Sequence, residues 1–385
     1  MKRFLKGFIK YVKRLDKFLL LLCVIASLFG VYLLRTIYEN GINPSAVSSR
    51  TWRTQLTACI GGSVCALIIS AINYKLLSKF WFVYAAVALV LSALLFTPLG
   101  MSTPGSSEVN WLNLGFMQIQ PSEFLMVAFI MSFSAHLCKI GDKMNQLAHF
   151  LLLCLHVMIP VGLITLQDNT GSSVIILFVF LTMLFMAGLS WRYVIAGTLA
   201  APVLGYVFWN FYAKDYQKLR ILVIFDKEKQ ASEVLGAFHQ QMQGLIAMSS
   251  GGLTGQGLSG GEYVSLFAIH NDFMFAYIGM TLGLIGCVLT LLLLLVICVR
   301  VLMVMGAARD LQGRLICAGV FALIFSHCVL NVGMVTVVLP VIGVPLPFVS
   351  AGGSSTLALF IAAGLVSSVW AHKEKEYHMF YTEKD

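Results

Sequence analysis

Residues Ala268-Ile269-His270-Asn271-Asp272-Phe273-Met274-Phe275-Ala276 join a polar loop to a long apolar segment, and a carboxylate stands at the junction. The apolar run that begins at Phe273 continues to about Val301, which is longer than the ~20 residues that a helix needs to cross a bilayer. An ionisable side chain at the edge of such a segment is costly to desolvate. We therefore expect Asp272 either to have a function or to cap the helix that follows it.

The composition of the whole chain is typical of a polytopic membrane protein. Of the 385 residues, 59% are hydrophobic and 11% are charged, and the mean hydropathy is +0.87, so one soluble core could not bury the apolar surface. The formal charge of +9 does not indicate nucleic-acid binding, because the basic residues are scattered between apolar segments. Most of the nine cysteines lie inside apolar runs without CxxC or metal-ligand spacing, and are predicted to be small buried residues.

Apolar segments of bilayer-spanning length predict an all-α fold of ten transmembrane helices in a single domain over residues 18–371. A basic segment (1–17) precedes this domain, a short tail (372–385) follows it, and a long polar loop covers residues 213–271. The ten predicted spans are Phe18–Thr36, Leu56–Ile72, Phe80–Leu99, Ser122–Cys138, Leu147–Leu166, Gly171–Leu189, Tyr193–Tyr212, Phe273–Val301, Leu315–Val338 and Ser355–Ala371.

The distribution of Lys and Arg predicts the orientation of these spans. Residues 1–17 carry seven basic side chains and one acid, which favours a cytoplasmic N-terminus. With ten spans, 18 of the 26 Lys and Arg residues fall on the cytoplasmic side, and the C-terminus is cytoplasmic as well. Trp111, Asp168, Asp272 and residues 345–355 are then predicted to lie on the outer face.

Three of the predicted outer loops combine glycine, proline and polar residues with apolar residues, and such backbone lies at membrane depth only where protein or a wet cavity satisfies it. Residues 101–120 lead into Gln120-Pro121-Ser122-Glu123, a helix start that is either functional or a simple cap beside an interfacial Trp111. Residues 249–261 are rich in glycine and form either an anion cradle or a flexible linker. Residues 339–355 contain three prolines and are predicted to form a rigid re-entrant segment whose amides and hydroxyls face a cavity.

The chain resembles a known family over about residues 16–371. The most specific residues are Asn331-Val332-Gly333-Met334, Leu339-Pro340, Pro345-Leu346-Pro347-Phe348-Val349-Ser350 and Gly352-Gly353-Ser354-Ser355. At these residues the chain resembles the SEDS proteins (FtsW, RodA and SpoVE). The resemblance extends to Trp111, Gln120-Pro121-Ser122-Glu123, Gln167, Gly171, Gln240, Gln243, Gly251, Gly252, Gly255, Gly257, His270, Asp272, Phe273 and Phe275. Members of that family are polytopic glycosyltransferases that polymerise lipid II into peptidoglycan.

The resemblance implies a site at Asp272, which matches the essential acid of the family. Asp272 is predicted to act as the general base on an acceptor sugar hydroxyl, or to hold a divalent cation (Mg or Mn) that neutralises the departing pyrophosphate. His270 either joins the proton network or is a hydrogen-bonded structural group. The residues predicted to bind substrate or line its cavity are Trp111, Gln120, Ser122, Glu123, Gln167, Asp168, Gln240, Gln243, His270, Pro347, Ser350, Ser354 and Ser355.

The resemblance also implies partners and a location. The expected partners are lipid II, membrane lipids and a single-pass class B penicillin-binding protein, and the expected location is the cytoplasmic membrane of a bacterium with the active face outside. The resemblance leaves open whether the role is in elongation, division or sporulation.

Several positions depart from the family pattern. Asn110 replaces an Arg, Met126 replaces a Lys, and Met280 and Thr281 replace two acids. The acid of a Gln-Pro-Asp motif falls on Asn169, beside Asp168, while Asn271 and Ala351 replace a Thr and a Tyr. Loss of these charges leaves two hypotheses. The chain is an inverting glycosyltransferase in which cations of the long loop replace the lost ones, or a weak or inactive relative that acts as a scaffold, a regulator or a flippase. A solute transporter is a third, weaker hypothesis.

Overall fold

The computed structural model describes residues 11, 13–102, 108–115, 118–233, 236, 238–266 and 268–373. Most of the predicted basic segment and nearly all of the predicted tail therefore lie outside the described residues. The helices are α1 (Lys17–Glu39), α2 (Ser49–Ala71), α3 (Tyr74–Lys79), α4 (Trp81–Ala93), α5 (Pro121–Ile140), α6 (Leu147–Thr165), α7 (Thr170–Met186), α8 (Trp191–Val207), α9 (Asp215–Phe225), α10 (Lys227–Ser232), α11 (His239–Ser250), α12 (Met274–Ala307), α13 (Leu311–Val335) and α14 (Gly353–Ala371).

Each of the ten predicted spans coincides with a helix, namely α1, α2, α4 to α8 and α12 to α14. In the described part of the chain, eight helices are long and apolar enough to cross a membrane, counting the short extensions of α5 and α8. The other two apolar helices are shorter: Trp81–Phe96, which includes a terminal 3-10 turn, and Thr170–Met186. The all-α polytopic prediction is confirmed, although two of the expected spans fall short of the usual length.

Small residues allow the closest helix pair, α2 and α14, to pack backbone against backbone. A Cβ atom added at Gly364 would lie 2.8 Å from the Cα atom of Ala66, and one added at Gly62 would lie 2.7 Å from the ring of Phe360. Acyl chains are as apolar as the side chains, so the hydrophobic effect does not drive helices together in lipid. Their association depends instead on such close van der Waals packing. The core of the bundle runs from this pair to α13, while α8 has no buried residue and lies at the periphery.

A buried ion pair ties together the helix ends at one side of the bundle. The Arg300 Nε atom of α12 donates to both carboxylate oxygens of Asp16, at 3.2 and 3.0 Å. The same carboxylate accepts from the backbone N–H of Leu19 and caps α1. The guanidinium also stacks over the Trp370 ring, 4.3 Å from its centroid. Each charge is therefore satisfied by partners on other elements, as buried charges require.

The helical geometry of α12 is interrupted at Gly283, and the glycine-rich segment repairs this break by bonding the backbone groups on either side of it. Gly283 has φ 64° and ψ −164°, a conformation that is essentially restricted to glycine. Around it, the amides of residues 256 and 257 donate to the carbonyls of residues 280 and 281, and the amides of residues 284 and 285 donate to the carbonyls of residues 252 and 253. The glycine-rich segment is therefore not a flexible linker over residues 252–257, and its amides at 256 and 257 bond to α12 instead of an anion.

The first outer loop contains a small sheet that the sequence does not predict. Strands β1 (Gly100–Ser102), β2 (Val109–Asn113) and β3 (Gln118–Ile119) pair antiparallel in the order β1-β2-β3. Strands of two to five residues are too short to give a recognisable alternation of polar and apolar residues. The sheet matters for the site because β2 presents Asn110 and Trp111 beside the loop that follows α6, where the Val109 amide donates to the Gln167 carbonyl at 3.2 Å.

Candidate active site

The predicted outer loops meet at one end of the bundle, and Asp272 lies among them. Three hydrogen bonds hold the backbone of residues 270–272. The Asp272 carbonyl accepts from Nδ2 of Asn331 at 2.8 Å. The two preceding carbonyls accept from the Ser350 hydroxyl at 2.6 Å and from the Ala351 amide at 2.8 Å. The position of this residue is thus fixed by α13 and by the proline-rich segment, without use of its side chain.

The Asp272 carboxylate does not cap a helix. The N-cap of α12 is Phe273, and no side chain caps that terminus. The carboxylate is half-buried, and it accepts no hydrogen bond from a residue that the structure describes. A Cβ atom added at Gly343 would lie 3.7 Å from Oδ2, so the Gly343 backbone runs beside the carboxylate. The alternative of a simple helix cap is therefore wrong.

Burial raises the pKa of the Asp272 carboxyl to about 7, the negative charge of Glu108 acts in the same direction, and the positive charge of Arg220 opposes both. A carboxylate with a pKa near the operating pH can both accept and release a proton during a reaction. This pKa is compatible with the predicted role of Asp272 as a general base.

Glu108 and Arg220 form the charged surroundings of Asp272. Nη1 of Arg220 lies 3.9 Å from Oε1 of Glu108 and donates to the Val341 carbonyl at 3.2 Å. The other oxygen of Glu108 accepts from Nδ2 of Asn110 at 2.9 Å. The sequence predicts neither Glu108 nor Arg220 as a site residue, although one of the two hypotheses drawn from it is that cations of the long loop replace the lost ones.

The proline-rich segment of residues 339–352 is bonded internally rather than open to a cavity. The Ser350 hydroxyl accepts from the Leu346 amide at 3.0 Å, and Phe348 between them has φ 63°. The Gly352 amide donates to Oε1 of Gln55 at 3.0 Å. Pro347 and Ser350 are buried. Ser350 therefore acts on the Asp272 backbone, and direct contact of Pro347 or Ser350 with substrate stays a prediction.

The predicted helix start at Gln120 to Glu123 packs against the first turn of α14. The Gln120 amide donates to the Ser354 hydroxyl at 3.1 Å. Glu123 is buried, with 3% of its surface exposed, and its side chain forms a hydrogen bond with Ser355. The structure thus brings four of the predicted residues together as two pairs between α5 and α14. Ser122, in the same turn, lies within 3.4 Å of Nδ2 of Asn169.

The predicted residues around α6 and β2 form a separate group. The Gln167 side chain donates to the Ser92 carbonyl at 2.9 Å. Asp168 has φ 61° and binds Nζ of Lys214 at 2.6 and 2.7 Å. Trp111 is half-buried in β2, where it pairs with Met101 of β1. These groups position the loops, and Lys214 places a long-loop cation at this end of the bundle.

Gln240 and Gln243 line a cavity of about 40 Å³ beside the Asp272 segment, together with Ala268 and Phe273. His270 is half-buried, and burial lowers the pKa of its imidazole. Its Nδ1 has no hydrogen-bond partner among the described residues. The neighbouring Gln241, which was not predicted, instead clamps the carbonyls of Met334 and Leu339 at 2.9 and 2.8 Å.

Among the positions at which the resemblance implies a charged residue, three are apolar or internally satisfied. Met126 and Met280 are 1% and 0% exposed. Thr281 is also fully buried and donates its hydroxyl to the Tyr277 carbonyl. A buried acid and a buried base can be exchanged together for packed apolar groups without loss of the fold. The departures therefore remove charge from the helix interior and leave the surroundings of Asp272 polar.

The residues around Asp272 do not fit a resident metal ion. Over the described residues, no group of three or more His, Cys, Asp or Glu side chains could hold one. The charge that neighbours Asp272 and Glu108 is the Arg220 guanidinium. A cation held by Asp272 together with the substrate diphosphate would not require such a group, so this role of Asp272 and the need for Mg or Mn stay predictions.

Comparison with known proteins shows the family to which the chain belongs. The FtsW/RodA/SpoVE family model, described as cell cycle protein, matches residues 13–375. The chain belongs to the FtsW/RodA/SpoVE family. It is 31% identical over 301 residues to the peptidoglycan glycosyltransferase MrdB of Escherichia coli K12, covering 76% of this chain and 79% of MrdB. It is 30% identical over 369 residues to a probable peptidoglycan glycosyltransferase FtsW of Trichlorobacter lovleyi, covering 92% and 93% of the two chains.

Solved structures share the FtsW/RodA/SpoVE fold. A chain from a structure on the coordination of polymerization and crosslinking by a peptidoglycan synthase complex superposes with a TM-score of 0.78, at 23% identity and with coverage of 94% and 99%. The rod shape determining protein RodA of Thermus thermophilus superposes with a TM-score of 0.68, at 22% identity and with coverage of 94% and 98%. At these identities the structures support the fold alone.

Proposed function

We propose that this member of the FtsW/RodA/SpoVE family is a peptidoglycan glycosyltransferase that polymerises lipid II into glycan strands. The observation that carries the proposal is Asp272, a carboxylate that is held by its backbone and has no described hydrogen-bond donor. Two relatives that cover more than two thirds of the chain are named as peptidoglycan glycosyltransferases, which supports the same reaction.

Asp272 acts as the general base in an inverting transfer. Its ionised carboxylate takes the proton from a hydroxyl of the acceptor sugar as that oxygen attacks the anomeric carbon of the donor. The bond between the anomeric carbon and the diphosphate oxygen breaks on the opposite face, and undecaprenyl pyrophosphate leaves with the bonding electrons. A base that needs to be ionised at neutral pH and protonated afterwards is best served by a pKa close to 7.

Long-loop cations supply positive charge at this end of the protein. Arg220 lies within electrostatic reach of Asp272, and Lys214 is half-exposed and pairs with Asp168. Positive groups that face a departing diphosphate stabilise the charge that develops on it. The replacement of family cations at Asn110 and Met126 therefore leaves the site with other sources of positive charge.

The multi-pass membrane protein is proposed to act on the outer face of the cytoplasmic membrane, with both termini in the cytoplasm. The distribution of Lys and Arg supports this orientation. A C-terminal fluorescent protein that folds only in the cytoplasm should be bright, and a C-terminal alkaline phosphatase that folds only outside should be inactive. The proposed partner is a class B penicillin-binding protein, which matches the structural similarity to a chain of a peptidoglycan synthase complex.

The test is polymerisation of lipid II by the purified protein with its partner. Wild type should form glycan strands, and Asp272→Ala and Asp272→Asn should form none while they retain wild-type thermal stability. A chelator series in the same assay tests the predicted need for Mg or Mn. If wild type forms no glycan under conditions in which an active relative does, the glycosyltransferase proposal fails and the scaffold hypothesis takes its place.

A further inference from the structure

Glu108 is an acidic side chain for which the proposed reaction has no use. It lies just before β2, the central strand of the small sheet, and its side chain is 21% exposed. The Asn110 amide holds its Oε2 atom at 2.9 Å, and Arg220 approaches its Oε1 atom to 3.9 Å. Burial raises the pKa of the Glu108 carboxyl, and Arg220 and Asn110 oppose that rise. A partly buried carboxylate of this kind requires an explanation.

Arg220 connects Glu108 to Asp272. Its guanidinium is anchored on the Val341 carbonyl at 3.2 Å. Two residues further along the same segment, Gly343 faces Oδ2 of Asp272. The 3.9 Å separation between Nη1 of Arg220 and Oε1 of Glu108 is too long for a hydrogen bond, so this contact is electrostatic. Arg220 therefore interacts electrostatically with both carboxylates.

Other charged groups leave this arrangement intact. The proline-rich segment carries no charge between residues 339 and 355. Asp168 faces Glu108, but it is paired with Lys214. His270, on the same segment as Asp272, is driven towards the neutral imidazole because burial lowers its pKa. The charges that act on Asp272 are thus those of Glu108 and Arg220, with opposite signs.

We propose that Glu108 is a positioning residue for Asp272. Glu108 shares Arg220 with Asp272 and thereby sets the pH at which Asp272 becomes an ionised base. The negative charge of Glu108 delays ionisation of Asp272, and the positive charge of Arg220 advances it. The Asn110 amide serves this arrangement because it orients Glu108 without adding a second cation. This inference rests on the proposed role of Asp272 as general base.

The test is the acid limb of the pH–rate profile for lipid II polymerisation by the complex with its transpeptidase partner. In Glu108→Gln the limb should move to lower pH, because a negative charge beside Asp272 is lost. A shift of half a pH unit, about threefold in the ratio of ionised to protonated Asp272, is the size to expect. In Arg220→Gln the limb should move to higher pH by a similar amount, and in the double variant the two shifts should largely cancel.

Matched controls come from the exposed pair Arg35 and Glu39, at 2.7 Å and more than half exposed on both sides. Glu39→Gln and Arg35→Gln remove the same charges at another surface position and should leave the limb in place. Arg220→Lys keeps the positive charge and should restore most of the wild-type limb. A role of Glu108 in folding alone would lower activity equally at all pH values and would not move the limb.

The outcomes separate this inference from the proposed function. If Asp272→Asn is inactive and the Glu108→Gln limb coincides with wild type or moves to higher pH, the role of Glu108 is refuted and the base assignment stands. Shifts of the Glu108 and Arg220 variants in the same direction would refute it as well. If Asp272→Asn polymerises lipid II at the wild-type rate, the base assignment fails first, and the role of Glu108 fails with it.

Discussion

Replacement of Gly283 by alanine should destabilise the protein strongly, although the site lies in a long apolar helix where alanine is usually favoured. An L-residue at φ 64° and ψ −164° is strained by ~1–3 kcal/mol. The new Cβ atom would also lie 2.4 Å from the Gly255 amide nitrogen and 2.5 Å from the Leu253 carbonyl oxygen. Because both neighbours are backbone atoms, the glycine-rich segment would have to move away.

That movement would weaken the backbone hydrogen bonds across the break. Four of them, at 3.0 to 3.2 Å, join residues 252–257 to residues 280–285. Each contributes ~0.5–1.5 kcal/mol net, so loss of two of them with the backbone strain gives a total destabilisation of ~2–6 kcal/mol.

The assay is the free energy of unfolding in mixed micelles, combined with hydrogen exchange of the amides at 256, 257, 284 and 285. Gly306→Ala is the matched control, because Gly306 lies in the same helix and a Cβ atom there meets nothing within 4 Å. That control should be neutral or stabilise by up to ~1 kcal/mol. Wild-type unfolding energy and wild-type exchange in Gly283→Ala would refute the conclusion that the glycine-rich segment repairs the break.

Three further predictions concern the site and the opposite end of the bundle. Because burial and the charge of Glu108 raise the pKa of Asp272 to about 7, the polymerisation rate should rise about tenfold between pH 6 and pH 8, and a flat profile would contradict the assignment of Asp272 as the base. Asn331→Ala removes the donor to the carbonyls of Asp272 and Val344, both at 2.8 Å, so polymerisation should fall with a loss of ~1–3 kcal/mol in stability, measured by rate and by unfolding. Asp16→Asn leaves the Arg300 charge buried without its counter-ion and should cost ~3–5 kcal/mol, whereas unchanged unfolding would show that the pair is dispensable.

The helices could be predicted from the sequence because span length and hydropathy are local properties of the chain. The tertiary role of the glycine-rich segment could not. Its backbone partners lie 24 to 32 residues later in the sequence, and Gly283 is indistinguishable in sequence from a glycine that merely packs in a helix. The structure shows instead a positive φ at that residue. A helix break that is repaired by a distant segment leaves no periodic signal in either stretch.

The site shows the same division between local and tertiary information. Asp272 could be found because it stands at a loop-to-helix junction within residues that match the family. Glu108 could not, because it belongs to a polar loop where an exposed acid is the ordinary expectation. Its proximity to Arg220 depends on the small sheet and on α9, which are far apart in the sequence. Asn331 was recognised as part of a motif, but its two hydrogen bonds to carbonyls were visible only in the structure.

The charge changes around Asp272 follow from where each charge is placed. At Met126, Met280 and Thr281 the side chains are fully buried, where an unpaired charge would be costly and where acid and base can only be lost together. At the outer end, the partly exposed Glu108 and Arg220 tolerate charge because water still reaches them. Glu108 and Arg220 therefore form a wetter pair beside Asp272. A wetter pair is screened by salt, so high ionic strength should shrink the opposite limb shifts of Glu108→Gln and Arg220→Gln, while the wild-type limb, on which the two charges largely cancel, should move little.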